Sequence, residues 1–224
     1  MPEGSFSPMS LRMVAMLRSG QYERCGAYIE ELLRTHSPEA LYLNTLMPAI
    51  FALGEQVLAG KLAAAEIVAP IACVRAQMEV ARGRMQRRPR LGKSMLATFL
   101  PGDIEHIGLV AISHWLDRDG WDVTYTYPPP PRDVLVADIL KRQPTILAIS
   151  CGMPKHVVTA RHVIQDLRAG GYAGVIWLGG MGINVMPDLF ARSGADHTAP
   201  NIVAFTRKLA EIYGYQTATP AEIA

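Results

Sequence analysis

Residues 102–108 read Gly-Asp-Ile-Glu-His-Ile-Gly, which sets Asp103, Glu105 and His106 within four positions of one another. Neutral imidazole is a good ligand for cobalt or iron, and a carboxylate on its second ring nitrogen orients it and raises its basicity. The same carboxylates also suit a helix N-terminus, where the backbone dipole favours negative charge without any further role. The segment follows the apolar run 95–100 and opens another, Leu109-Val110-Ala111-Ile112. It therefore reads as a strand-to-helix loop, the place where open α/β sheets hold their ligands.

Two more loops of this kind follow apolar runs. One is Ser150-Cys151-Gly152-Met153-Pro154, and the other is Gly179-Gly180-Met181-Gly182. If all three follow parallel strands, they share one sheet edge. The glycines follow the fourth strand, not the first, so a GxGxxG dinucleotide site is not expected. Glycine there lets backbone lie close to a bulky ligand, or simply turns the chain into the next helix. Ser150 can donate to a buried acceptor or cap a helix. Cys151 and His156 lie five apart, yet read as a small buried thiol and a solvated imidazole, not as a nucleophile and base. His106 and His114 can share a helix face, but nothing supplies further ligands for a metal held by protein alone. No catalytic residues are expected.

The elements that must position these loops fall into two halves. Residues 1–86 carry helical spacing. The first helix includes Leu11, Val14, Met16 and Leu17 and ends at Gly20. The second spans 22–34. The third is capped at Ser37-Pro38-Glu39 and runs to about Ala59. The fourth spans 62–85, with a bend near Pro70. Short connections make an antiparallel four-helix bundle the expected arrangement. Residues 87–93, rich in Arg with Pro89 and Gly92, read as a linker. From 94 to 224, strands at 95–100, 122–126, 145–150, 174–178 and, weakly, 195–199 alternate with helices at 105–118, 132–142, 155–169, 183–192 and 200–213. This predicts a flavodoxin-like (Rossmann-like) α/β domain with a five-stranded parallel sheet.

Composition narrows the function classes. Hydrophobic residues make up 50% and charged residues 19% of 224, enough for a sizeable core. The net charge of +2 argues against a nucleic-acid surface across the chain. The basic cluster Arg84, Arg87, Arg88, Arg90 and Lys93 reads as a solvated linker or a contact for an acidic partner. The three cysteines show no zinc spacing and suit a reducing, cytoplasmic setting. No apolar run approaches the roughly 20 residues that span a bilayer, and the N-terminus lacks the regions of a signal peptide.

A helical region followed by a flavodoxin-like domain with Gly-Asp-x-His-x-x-Gly, then Ser-x-Leu, then Gly-Gly resembles the cobalamin-binding module of methionine synthase and corrinoid proteins. The resemblance spans residues from about 8 to 215. It implies that Asp103 supports a metal-ligating His, that Gly108 closes the first motif, that Ser150 meets the displaced dimethylbenzimidazole tail, and that Gly179 and Gly180 let the tail thread in. Ile107, Gly152 and Met181 complete the loops. The segments Ala52-Leu53-Gly54-Glu55-Gln56-Val57 and Ala64-Ala65-Glu66 resemble the cap's substrate-facing turn, and Leu58, just after the first, and Glu66, in the second, stand for the cap's side of the cofactor.

The pattern also departs from the family. Glu105 occupies the His position, three before Gly108, and His106 follows one place later. Either His106 is the metal ligand in a shifted register, or no such ligation occurs. Gly152 stands where the family has Leu. Light-sensing relatives carry a Trp and a Glu-His pair in the cap, and Leu58 and Glu66-Ile67 replace these here. Methyl carriers commonly continue with Lys-Asn after the motif's Gly, whereas this chain continues Leu109-Val110.

The expectation is a cytoplasmic tetrapyrrole sensor similar to stand-alone AerR/PpaA-type antirepressors, with cobalamin between cap and sheet edge. Its partner would be a transcriptional repressor or other regulatory protein, with a link to light or redox state and no direct contact with nucleic acid or membrane. Two alternatives remain. One is a heme-binding sensor of the same fold, like the heme-binding SCHIC domains, and the other is a corrinoid protein carrying methyl groups for a methyltransferase system.

Overall fold

Strand residues alternate between two apolar faces, and that alternation is what folds the second half. The computed structural model describes residues 6–100 and 107–217. Contacts divide the chain after Gln86 into two units.

In the second unit, β1 (Ser94–Phe99), β2 (Asp122–Tyr125), β3 (Ile146–Ser150) and β4 (Val175–Gly179) form a sheet in the order β2-β1-β3-β4. Every pairing is parallel. Successive strand residues point to opposite faces. Leu96, Leu147, Ile149, Ile176 and Leu178 pack on one face with Leu135 and Ile139 of α7 (Arg132–Arg142) and Val163 and Ile164 of α8 (His156–Ala169). Met95, Ala97, Ile146, Ala148 and Trp177 pack on the other with Leu109 and Leu116 of α6 (Ile107–Arg118) and Phe205 and Leu209 of α11 (Ile202–Tyr213). Both faces are thus covered, as a parallel sheet requires.

The expected fifth strand is reduced to one parallel bridge, Trp177 to His197. The Asp196 carboxylate takes the Ile176 N–H at 2.7 Å, a donor that a paired strand's backbone would otherwise take. Pro200, without an N–H, closes the segment. The sheet therefore has four strands among the described residues, not five. The helix expected over 183–192 is also broken. Met181–Val185 (α9) and Asp188–Ala191 (α10) are separated at Met186-Pro187, because proline cannot continue the first helix's hydrogen bonds.

The first unit contains α1 (Pro8–Arg18), α2 (Tyr22–Leu32), α3 (Pro38–Leu41), α4 (Met47–Leu58) and α5 (Val68–Arg82). The single third helix expected over 37–59 contains a π turn, Tyr42–Leu46, between α3 and α4. Pro48 explains it. Its missing N–H leaves the Asn44 carbonyl without an i+4 donor, and that carbonyl accepts from the Ser7 hydroxyl. The Met47 N–H bonds one residue further back, to Tyr42. Pro70 does not bend the fourth helix. A 3-10 turn (Ala64–Ile67) precedes α5, and Pro70 lies in its first turn, where its N–H has no intrahelical acceptor to lose. The simple four-helix description is therefore too coarse.

The segment 87–93 is fastened to the second unit. The N–H groups of Arg88 and Leu91 donate to the carbonyls of Arg118 and Gly120 at 2.8 and 2.9 Å. Gly120, at φ +94°, meets Pro89 so closely that a Cβ would lie 2.1 Å from its carbonyl oxygen.

In the first unit, the buried Tyr42 hydroxyl donates to the Met78 carbonyl at 2.7 Å, tying the π turn to α5. Tyr42→Phe keeps the packing and removes that bond. Urea unfolding of the variant is expected to show a loss of about 1 kcal/mol.

Candidate functional site

Parallel pairing sends the chain out of β1, β3 and β4 at the same carboxyl edge. The register sets Ser150 beside Phe99 on one side and beside Gly179 on the other. Two of the three expected loops are thereby adjacent.

Ser150, the last residue of β3, is buried. Among the described residues its hydroxyl has no hydrogen-bond partner. Cys151 continues the chain with its N–H on the Gly179 carbonyl at 2.8 Å, and its carbonyl accepts from the Gly182 N–H at 3.0 Å. The second and third loops are thus stitched together by backbone. Cys151 is fully buried, and its thiol donates to the Met153 carbonyl at 3.3 Å. His156, expected to be solvated, is buried at the start of α8. The α8 helix packs His156 toward the core beside Val157 and Ala160, which the sequence pattern did not signal. Gly152 lies between these contacts and is partly exposed.

The glycines of the third loop do different work. Gly180 has φ +103°, and a Cβ there would lie 2.5 Å from the Cys151 carbonyl oxygen. A Cβ on Gly182 would lie 2.7 Å from the Met153 carbonyl carbon. Both positions require glycine so that the two loops can meet. Gly179 differs. Among the described residues, a Cβ there would find only the Ala199 carbonyl oxygen, at 4.0 Å. Among those residues, open space lies in front of the end of β4, next to the Ser150 position, where a slender group can lie against the backbone. Met181, partly exposed, begins α9.

The first loop's Asp103, Glu105 and His106, including the proposed metal ligand, lie outside the described residues. Ile107 and Gly108 begin α6, with Ile107 buried. In the first unit, Glu66 is exposed, and its carboxylate accepts from the Ala63 N–H at 2.7 Å, capping the 3-10 turn. Leu58 is the last residue of α4.

The basic cluster is largely satisfied internally. Arg84 pairs with Glu30, and Arg87 and Arg90 with Asp117 at 3.0 and 3.5 Å. The Lys93 ammonium lies 5.0 Å from the centre of the Tyr213 ring. In the first unit, Cys25 is inert as a nucleophile, since burial pushes its thiol up to about 12. No cluster of three metal-ligating side chains exists among the described residues.

The glycine assignment separates folding from binding. Gly180→Ala is expected to lower the stability of the ligand-free protein by about 2 kcal/mol or more, from the positive φ and the backbone clash. Gly179→Ala is expected to change it by less than about 0.5 kcal/mol. Urea midpoints of the two variants check both values.

Comparison with known proteins places this geometry. The profile of the B12 binding domain matches residues 93–204. The monomethylamine corrinoid protein of Methanosarcina barkeri has a similar structure. It is 16% identical, with a TM-score of 0.79 over 90% of this chain and 96% of that one. The methanol:cobalamin methyltransferase complex of the same organism matches at 14% identity and a TM-score of 0.50, over 92% of this chain and 79% of that one. A cobalamin-binding protein of Desulfitobacterium hafniense DCB-2 matches at 18% identity and a TM-score of 0.48, over 91% and 97%. No curated protein sequence matches. No helix among the described residues is long and apolar enough to cross a membrane. With its sheet unit matched almost from end to end, the chain belongs to the B12-binding domain family, and its cofactor is cobalamin.

Proposed function

We propose that this protein is the corrinoid carrier of a methyl-transfer system and that its partners are methyltransferases. One observation carries the reading: the likeness to the monomethylamine corrinoid protein runs through both units, over 90% of this chain. In this chain the likeness takes in both the B12-binding domain and the helical region before it. The earlier preference for a regulatory sensor gives way on this ground.

The described residues fit a corrinoid where they can be tested. An extended tail needs a slot beside the strand ends and a polar group within it. The open space at Gly179 and the neighbouring Ser150 hydroxyl supply these. Bound cobalamin supplies a cobalt centre able to accept and release a methyl group. In this reading Ser150 donates a hydrogen bond to the tail, and Gly179 leaves room for it. His106 would hold the metal, and Asp103 or Glu105 would accept from its other ring nitrogen, a contact that would fix the tautomer and raise the imidazole's basicity. Residues 1–86 are the helical cap and 94–224 the corrinoid domain. The free thiols Cys25, Cys73 and Cys151 suit a cytoplasmic location.

A second reading, a cobalamin sensor acting on a transcriptional repressor, is favoured by two local features. Glu105 replaces the family His, and Leu109 and Val110 replace the Lys-Asn of methyl carriers. Both of these residues are buried in α6. Heme in place of cobalamin has no comparable support.

The purified protein, incubated with hydroxocobalamin and desalted, is expected to retain about one cobalt per chain by absorption and metal analysis. Hemin treated in the same way is expected to wash out. His106→Ala should shift the bound spectrum and weaken retention at least about tenfold. An unchanged spectrum would remove His106 from the metal. Gly179→Leu should also weaken retention while leaving the melting temperature of the ligand-free protein unaltered. Cobalt-dependent methyl transfer to a thiol, in the presence of a corrinoid methyltransferase, distinguishes carrier from sensor. Full cobalamin retention without any transfer would favour the sensor.

A further inference from the structure

A shallow recess also lies in the sheet unit, and none of its residues belongs to the three carboxyl-edge loops. It is an open cavity of about 410 Å³, formed by the middle of α8 and the turn after α10. Arg161, Gln165, Ala191, Arg192, Ser193 and Gly194 line it. Its volume lies at the small end of the range for small-molecule sites.

The charge balance here differs from the rest of the unit. Elsewhere nearby, arginines are matched by carboxylates. Arg132 pairs with Asp166, and Arg168 with Asp196 at 2.6 Å. Both of those acids are already engaged. Asp188 of α10 lies one helical turn before Arg192 and makes no ion pair with it among the described residues, and no carboxylate lines the cavity itself. Among the described residues, neither Arg161 nor Arg192 has an ion pair or hydrogen bond. Two guanidiniums thus face one recess without a counter-charge.

The backbone adds a donor. Gly194 is exposed with φ +82°, and its N–H has no acceptor among the described residues. The Ser193 hydroxyl is occupied, donating to the Phe190 carbonyl at 2.7 Å and accepting from the Ala195 N–H at 3.1 Å. It holds the turn in shape and leaves binding to its neighbours. The recess therefore offers two planar forks, one side-chain amide and one N–H. These are donors suited to several oxygens carrying two negative charges, and guanidinium forks match such oxygens in pairs.

We propose that this recess binds a phosphoryl dianion, carried either by free orthophosphate or by a nucleotide. The site is independent of cobalamin and rests on no assumption about methyl transfer.

The test is a titration of the ¹⁵N-labelled full chain with potassium phosphate and, separately, with AMP, set against potassium chloride at matched ionic strength. The Gly194 amide and the Arg161 and Arg192 Nε signals are expected to shift saturably with phosphate or AMP and not with chloride. A lower dissociation constant for AMP assigns the group to a nucleotide, and equal constants assign it to free phosphate. Arg161→Gln and Arg192→Gln, both at exposed positions, should each weaken binding about fivefold or more. Cobalamin retention and melting temperature should stay unchanged in both. Shifts reproduced by chloride, no saturation with either anion, or unweakened binding in both variants would each overturn the proposal. The chloride comparison needs only the wild-type chain, so the proposal stays testable if a variant fails to fold.

Discussion

Parallel pairing of β1, β3 and β4 is the constraint on which the site depends. Because the strands run in one direction, every strand-to-helix loop leaves at the same edge. Because Ser150 registers with Gly179, the loop after β3 meets the loop after β4. The meeting is close. Backbone hydrogen bonds from Cys151 to Gly179 and from Gly182 to Cys151 leave no room for a Cβ at Gly180 or Gly182. A one-residue slip of β4 would replace this contact with a side-chain clash and would turn Trp177 away from Phe205, with which it makes an edge contact at 4.7 Å. Core packing and loop geometry therefore enforce the same register.

Much of this was legible in the sequence, because two-residue and 3.6-residue periodicities are set by burial alone. The β1, β3 and β4 strands, the loops after β3 and β4, and the meeting of small residues at their tips follow from that pattern. The misreadings have local causes. Residues 195–199 look like a strand, but the Asp196 carboxylate replaces a backbone partner at Ile176. Pro48 was overlooked, and it forces the π turn at Tyr42–Leu46. Pro187 cuts one expected helix into two. Pro70, expected to bend a helix, sits where a helix tolerates it. Each is a backbone hydrogen bond gained or lost at one residue, which hydrophobic spacing does not register. In the site, the contrast between Gly179 and Gly180 was invisible too, since only the fold shows which glycine faces protein and which faces open space.

Away from the site, the turn that joins α6 to β2 carries a buried charge cluster. Arg118 pairs with Asp119 at 2.7 Å, and both side chains are almost wholly buried. Burial pushes the Asp119 carboxyl above the usual carboxylate range, against the opposing pull of Arg118 and Arg88. An acid raised in this way contributes most to stability below its unfolded pKa, and that contribution is lost as pH rises through the folded value. At neutral pH the charged pair is retained at a cost in desolvation. Its return is connectivity, since Arg88 reaches Asp119 and the Gln216 carbonyl and so fastens both ends of the unit to one turn. Arg88, read from the sequence as part of a solvated linker or an acidic partner's contact, is a structural tie.

The choice between carrier and sensor turns on where cobalamin's effects are felt, not on whether it binds. A carrier needs the metal reachable by a partner enzyme, whereas a sensor needs the bound state to alter a surface. A fold shared at 16% identity carries either role, since function resides in loops grafted on a common frame. The positions that differ from methyl carriers lie in and just after the first loop. Leu109 belongs to the core beneath the sheet, with Val110 buried beside it, so the start of α6 is anchored by apolar packing. A polar Lys-Asn pair there would leave that turn of the helix more hydrated and easier to shift. The apolar pair fixes the start of α6 at Ile107, where the described part of the chain resumes after the first loop. Apolar anchoring of a helix start is as compatible with carriage as with sensing, even though the sequence there resembles the regulatory branch.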